Sequence, residues 1–286
     1  MGGCCFSTPL ENEQPNDGFC DWPFTEFLLS DLNTATKNFS SEEIISEKAQ
    51  DSSNVVYKGL LSENLGFVAV KRFKNSDWPD HEEFAEDAKS LGEIKHKRLV
   101  NLFGYCCDED ERLLVSDFMP NDTLAHRLFH QKSQAMEWSM RLRVAFHIAE
   151  TLEYCNSEGF VSYSNLSAHS VLFDKDGDAC LSSFGLIKAI RYDRSQRARV
   201  NTKSVTYRFG TILVNLLTGR QTPPSHVPEM INGKHVTELM DPSLKGKYSK
   251  EEAATVLKLA AECLQCEARK SLITKELVAT LKSLAI

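Results

Sequence analysis

The sequence predicts an α+β fold in two lobes, the first small and β-rich, the second helical. Two features of the pattern and the length of the chain carry this reading. Short runs rich in β-branched residues crowd the first third, at Val55–Gly59, Gly66–Lys71 and Leu113–Val115, and read as strands. Past Met119 the period changes. Trp138, Leu142, Ala145, Ala149 and Leu152 recur at helical spacing, and so do Val205, Phe209, Ile212, Leu213, Leu216 and Leu217. With 286 residues the chain holds one two-lobed domain and little else.

Taken in order, residues 1–23 are polar, acidic and aperiodic, which predicts a flexible tail. Residues 24–118 are assigned to the first lobe and 119–286 to the second. Ser40-Ser41-Glu42-Glu43 has capping-box spacing. Asp80 to Lys95 reads as a helix, with Pro79 near its first turn. Ser116-Asp117-Phe118-Met119 follows an apolar strand and is the expected hinge between lobes. In the second lobe the helix ending at Leu217 is stopped by Gly219, and further helices are expected over Glu251–Cys266 and from Ser271 to the end.

Composition narrows the function. A formal charge of -7 gives no support to a nucleic-acid footprint, which needs a clustered basic face. No apolar run approaches the roughly 18–20 residues of a membrane span, and the start lacks the basic and apolar regions of a secretory signal, so a cytosolic chain is expected. The nine cysteines build no disulfide framework. Cys106 and Cys107 read as buried thiols, and Cys263-x-x-Cys266 lacks a second ligand pair.

Tyr163 to Leu186, YSNLSAHSVLFDKDGDACLSSFGL, carries the chemistry. It resembles the active-site core of a protein kinase, H-R-D-L-K-x-x-N followed by D-F-G, with the acidic groups removed. Aligned on Val171–Asp174 and Phe184-Gly185, the two aspartates fall on Asn165 and Ser183, and the asparagine on Ser170. The glycines of the phosphate loop fall on Ala49, Asp51 and Asn54. Lys71 stands at the strand-lysine position, and Asp87 replaces the glutamate that would hold it.

This resemblance implies a bilobal protein-kinase-like fold without working chemistry. Asn165 accepts no proton from a hydroxyl, and Ser170 and Ser183 offer Mg²⁺ only neutral oxygens. The expectation is therefore no catalytic residue, no metal and no cofactor, with at most weak ATP binding through Lys71 without Mg²⁺. The segment between Gly185 and Tyr207 contains no A-P-E and is too short for a complete activation segment. The aspartate that opens the next helix falls on Val205, and the arginine that pairs with the A-P-E glutamate on Ser271. Ser195, among Arg191, Arg194, Arg197 and Arg199, is a candidate phosphosite in the shortened region.

Within kinases the chain resembles the brassinosteroid-signalling kinases, which are plant receptor-like cytoplasmic kinases. The matching residues are Asn54–Gly59, Trp78-Pro79-Asp80, Leu172–Asp178, Leu181–Leu186 and Pro223–His226, behind a Gly-Cys-Cys start. That family implies a lipid-anchored relay on the cytoplasmic face of the plasma membrane. Its partners would be membrane receptor kinases and downstream signalling proteins, with no nucleic acid. Gly2 is the candidate myristoylation site and Cys4 and Cys5 the candidate palmitoylation sites, although Phe6 holds the Ser/Thr position of the motif and Ser7 comes one late. No Lys or Arg precedes Lys37, so a polybasic second signal is excluded and the anchor rests on the cysteines. The chain stops at Ile286, so the family's C-terminal tetratricopeptide repeats are expected to be missing. The leading expectation is a pseudokinase scaffold, adaptor or decoy. The alternatives are a weak or atypical ATP-binding Ser/Thr kinase and a marginally folded product of a decaying gene.

Overall fold

A computed structural model describes residues 23–45, 54–62, 66–74, 80–108, 110–130, 135–157, 161–164, 166–188, 202–265 and 273–285. Gly2, Cys4, Cys5, Ala49, Asp51, Asn165, Ser195 and Ser271 lie outside these residues.

The first lobe is a five-stranded sheet in the order β1-β4-β5-β3-β2. Its strands are β1 (Thr25–Glu26), β2 (Asn54–Ser62), β3 (Gly66–Phe73), β4 (Leu102–Asp108) and β5 (Glu111–Asp117). All neighbours run antiparallel except β1, which lies parallel to β4. The period of two along β3 divides its side chains between two environments. Val68 and Val70 enter a small core with Leu32, Phe103, Leu113 and Val115. Ala69 and Lys71 face the other way, into the cleft between lobes.

Helix α1 (Leu29–Ala35) covers the Val68 face, and α2 (His81–Gly92) packs on β4. Asp80 caps α2 by accepting from the N–H groups of Glu82 and Glu83 at 2.9 and 3.1 Å. Phe84, Asp87, Ala88 and Leu91 form its buried stripe. The helix stops three residues short of the expected Lys95. A Cβ at Gly92 would stand 2.2 Å from the Phe24 ring, so the lead-in segment packs directly on the last residue of the helix. The capping-box residues form only a 3₁₀ turn, Ser41–Glu43, in which Ser40 accepts from Glu42 N at 3.3 Å.

The second lobe begins with β6 (Asn121–Thr123) and α3 (Trp138–Ser157), then β7 (Val161–Tyr163), β8 (Val171–Phe173), β9 (Ala179–Leu181) and β10 (Leu186–Lys188). β6, β8 and β9 form one small sheet, and β7 pairs with β10. Helices α4 (Thr202–Thr218), α5 (Val227–Ile231), α6 (Val236–Leu239), α7 (Lys250–Gln265) and α8 (Lys275–Ala285) complete it. Leu142, Ala145, Ile148, Ala149 and Leu152 make α3 the centre of the core, against α4 and α8.

One apolar cluster runs from Phe84 and Leu91 in α2 through α3 into α7, so the lobes share a core. Main-chain bonds pin the seam: Val100 N–H donates to Leu181 O at 2.9 Å and Leu181 N–H to Arg98 O at 2.8 Å. The Arg98 guanidinium then reaches Asp174 at 3.0 Å and Asp178 at 2.6 Å in the β8–β9 turn.

Candidate functional site

Between the lobes lies a cavity of about 590 Å³, within the range of small-ligand sites. The alternation of β3 brings Ala69 and Lys71 to its upper wall. The Lys71 ammonium donates to the carbonyl of Phe184 at 3.1 Å and lies 4.4 Å from the centre of the Phe73 ring. Asp87, the expected partner of Lys71, is 5% exposed on the inward face of α2 and is not part of the cavity lining.

The back wall is the end of β5 and the segment after it, Ser116 to Pro120. Ser116 is buried, and Asp117 N–H donates to Asn101 O at 3.1 Å, fastening this hinge to the strand behind it. Burial pushes the Asp117 carboxyl up to about 6, with Lys95 pulling the other way. Lys58 lies 3.9 Å from the Phe67 ring and 4.9 Å from the Phe118 ring, so an aromatic pair with a cation flanks the hinge.

The lower wall is the stretch between β7 and β8, facing the Ser182–Gly185 turn. Tyr163, at the histidine position of the template, is 1% exposed and donates to Ser182 O at 2.7 Å; burial holds its phenol above the usual range. Ser164 bonds the Gly185 carbonyl through both N–H, at 2.6 Å, and Oγ, at 3.2 Å. These bonds join the two segments without a charged group. Ser170 lines the cavity, but its hydroxyl is engaged: it donates to Ser167 O at 2.9 Å and accepts from Ser167 N at 3.1 Å. Ser183 is 1% exposed, and its Oγ has no hydrogen-bond partner among the described residues. Ser182, Phe184 and Gly185 line the cavity, whereas Ser183 does not.

The fold thus brings Lys71 and Ser170 to one cavity and leaves Ser183 behind its wall. Sequence reasoning missed the buried Asp117 carboxyl and the Phe184 carbonyl as an acceptor for the lysine. An acid directly after an apolar strand was a readable signal for the first; a main-chain acceptor leaves no mark in a sequence. Cys106 and Cys263 are buried and Cys107 is half-buried; burial pushes the Cys106 thiol up to about 12. Cys266 lies outside the described residues. Among those residues, no group of three or more His, Cys, Asp or Glu side chains is placed to hold a metal ion.

The sequence profile of the family described as "Protein tyrosine and serine/threonine kinase" matches residues 49–204, more than half of the chain. The chain belongs to the protein kinase family. Within it, the chain falls with the group that its motifs resemble. It is 55% identical over 294 residues to "Probable inactive receptor-like kinase BSK12" of Arabidopsis thaliana, matching 99% of this chain and 62% of the relative. It is 51% identical over 274 residues to "Serine/threonine-protein kinase BSK1" of the same plant, matching 91% of this chain and 53% of the relative. The chain therefore spans about three fifths or less of the length of these curated relatives. The fold of this kinase-family chain is also that of a solved pseudokinase, drought responsive inactive kinase 1. There the TM-score is 0.69 at 24% identity, covering 93% of this chain and 98% of the other.

Proposed function

We propose that this chain is a pseudokinase that works by binding, as a membrane-anchored scaffold or adaptor in receptor-kinase signalling of the brassinosteroid type. One observation carries the reading. Of the two positions where a kinase holds metal, Ser170 has its hydroxyl tied to Ser167, and Ser183 is buried off the cavity with a neutral side chain. Mg²⁺ takes carboxylate and phosphate oxygens and gives up its water reluctantly, so this pair does not fit it. Without that charge compensation the dominant source of phosphoryl-transfer catalysis is missing. The asparagine at position 165 removes the base as well, a loss of roughly 10²–10⁴-fold by itself. Similarity to a relative whose name reads "probable inactive" supports the reading, while another relative is named as a serine/threonine-protein kinase.

The test is phosphate incorporation into a generic peptide by the purified chain with ATP and Mg²⁺ or Mn²⁺. The expected rate is background, unchanged by Lys71→Met. Metal-dependent labelling that Lys71→Met abolishes overturns the proposal. It would favour the second reading, a residual kinase, which the presence of Lys71 in an open 590 Å³ cavity keeps in play. Melting with ATP, with and without Mg²⁺, separates nucleotide binding from turnover: the pseudokinase reading expects no gain from the metal.

Anchoring is proposed through Gly2 with Cys4 and Cys5. No helix among the described residues is long and apolar enough to cross a membrane. One acyl chain holds a protein only marginally, so both signals are required. Membrane partitioning that survives Gly2→Ala would remove this part of the proposal and leave the pseudokinase reading intact.

A further inference from the structure

The segment that leaves α1 is strained. Lys37, Asn38 and Phe39 all lie in the left-handed region, at φ of 52°, 56° and 53°. One left-handed residue is an ordinary way to end a helix. Three in a row, the last an aromatic, is not, because a Cβ in this conformation crowds the carbonyl that follows. The other five positive-φ positions among the described residues are all glycine, the unstrained solution that is not used here. Local bonds hold the turn: Asn38 N–H donates to Asn33 O at 2.7 Å, Ser40 N–H to Thr36 O at 3.2 Å and Phe39 N–H to Thr36 Oγ1 at 3.1 Å. The turn aims Phe39 back onto the sheet. Its ring lies edge-on to Tyr57 at 5.2 Å and 4.8 Å from the guanidinium carbon of Arg72, which Glu111 holds in a forked ion pair.

A few residues further on the chain meets the cleft. After the 3₁₀ turn Ser41–Glu43, Ile44 bridges to Tyr57 and Ile45 N–H donates to Val56 O at 2.9 Å. Ile45 and Val56 line the Lys71 cavity, so this short stretch is part of its wall. Its hold on β2 is thin, since Ile44 and Ile45 remain 40% and 41% exposed. The Lys37–Glu43 pair, at 2.6 Å, is a surface contact and adds little. Backbone strain of this kind persists only where the surroundings over-determine it, and it collects at clamps and switches. We propose that residues 36–45 form a loaded strap on the cleft. Closed, the Phe39 ring is clasped by Tyr57 and Arg72, and Ile45 stays on β2. Released, residues 37–39 return to ordinary backbone, the ring leaves, and Ile44 and Ile45 come away from Tyr57 and Val56 while the rest of the sheet stays folded. Contacts close the strap and its own backbone opposes them, so a ligand that prefers either state needs little differential affinity to move it. The inference holds whether or not the cleft turns over ATP, and phosphate labelling does not decide it.

The test is native-state hydrogen exchange of the full chain, read by NMR at Ile45 N–H and at the slowest amides of β3 and β5. In the parent, Ile45 is expected to exchange at least about 10-fold faster than those amides and with little dependence on added denaturant, the mark of a local opening. Lys37→Gly and Lys37→Ala both lose the Glu43 pair and differ only in the Cβ that a left-handed residue disfavours. Ile45 should exchange about 5-fold more slowly in the glycine variant than in the alanine one. Without strain the order reverses, because glycine loses more freedom when the strap closes. Acetylation of Lys71 by a water-soluble succinimidyl ester, followed by mass spectrometry, should be slower in the glycine variant as well, since release widens access to the cavity. Phe39→Ala should speed exchange at Ile45 by about 10-fold; should it not fold, the glycine–alanine pair decides alone. Exchange at Ile45 no faster than at the sheet core overturns the proposal. So does equal or reversed exchange in the two Lys37 variants, or Lys71 acetylation that is the same in both.

Discussion

The turn between β8 and β9 and the turn after β9 are separated by three residues of strand, yet they treat charge in opposite ways. The first carries Asp174 and Asp178, both engaged by Arg98 from the other lobe. Asp174 also accepts from the N–H groups of Asp176 and Asp178, so its carboxylate is bonded both within its turn and across the seam. The second has Ser183, buried and neutral, where the kinase template has an acid. Acids stand where they tie one lobe to the other and are gone where they would hold metal. The two sets of groups do different work on neighbouring segments, so one can be lost without dismantling the other. This gives a physical route to a folded, non-catalytic kinase domain.

If charge here serves architecture, removing an architectural charge should cost more than removing the acid that remains in the cleft. The largest effect is expected at Arg141. It is fully buried in α3 and donates to Met136 O at 2.9 Å, Leu216 O at 2.8 Å and the Asp241 carboxylate at 2.5 Å. Arg141→Met strands those acceptors and should cost about 3–5 kcal/mol in denaturant unfolding. Arg98→Met should cost less, about 1.5–3 kcal/mol, because its two carboxylates keep some water. A cycle with Asp174→Asn isolates the coupling across the seam. No coupling there would break the comparison, since the surviving acids would then be idle too. Gly185→Ala comes next, at about 1–3 kcal/mol by overpacking. The added Cβ would lie 2.2 Å from the Tyr163 ring, so the variant tests whether the turn after β9 is held by fit rather than charge.

The sheet and the long helices were legible because their cause is periodic: β3 alternates, and α3 and α4 repeat every three to four residues. Element ends were less so. The last residue of α2, Gly92, packs so closely on Phe24 that a Cβ would not fit, and Phe24 lies far away in sequence and meets it only after folding. At the site, the residue types at Lys71, Ser170 and Ser183 could be read from spacing, but their engagement could not. That Ser170 closes a local turn with Ser167, and that Ser183 turns away from the cavity, depends on how the loop settles against β9.

The smallest effect is expected at Asp117, an acid in the cleft that belongs to neither class. Its folded carboxyl titrates near 6, above the usual carboxylate range, because burial disfavours the charge. The folded state therefore binds this proton more tightly than the unfolded chain does. Its contribution to stability falls as pH rises from about 4 to 6 and stays lowered above that. His147 acts in the opposite sense: burial lowers it to about 4, so its contribution grows with pH across the same interval. The two slopes oppose, and the parent chain's own pH profile will hide both. The difference between parent and Asp117→Asn removes His147 from the comparison. The variant should be more stable at pH 7.5 by about 1 kcal/mol, a value reduced from the full shift because the carboxyl keeps part of its solvent contact. By pH 3, below the ordinary carboxylate value of about 3.8, that advantage should be nearly gone. A variant less stable than the parent at pH 7.5 would mean that the Asp117 carboxylate is engaged as an anion, and the cleft would then hold an architectural acid like those in the β8–β9 turn.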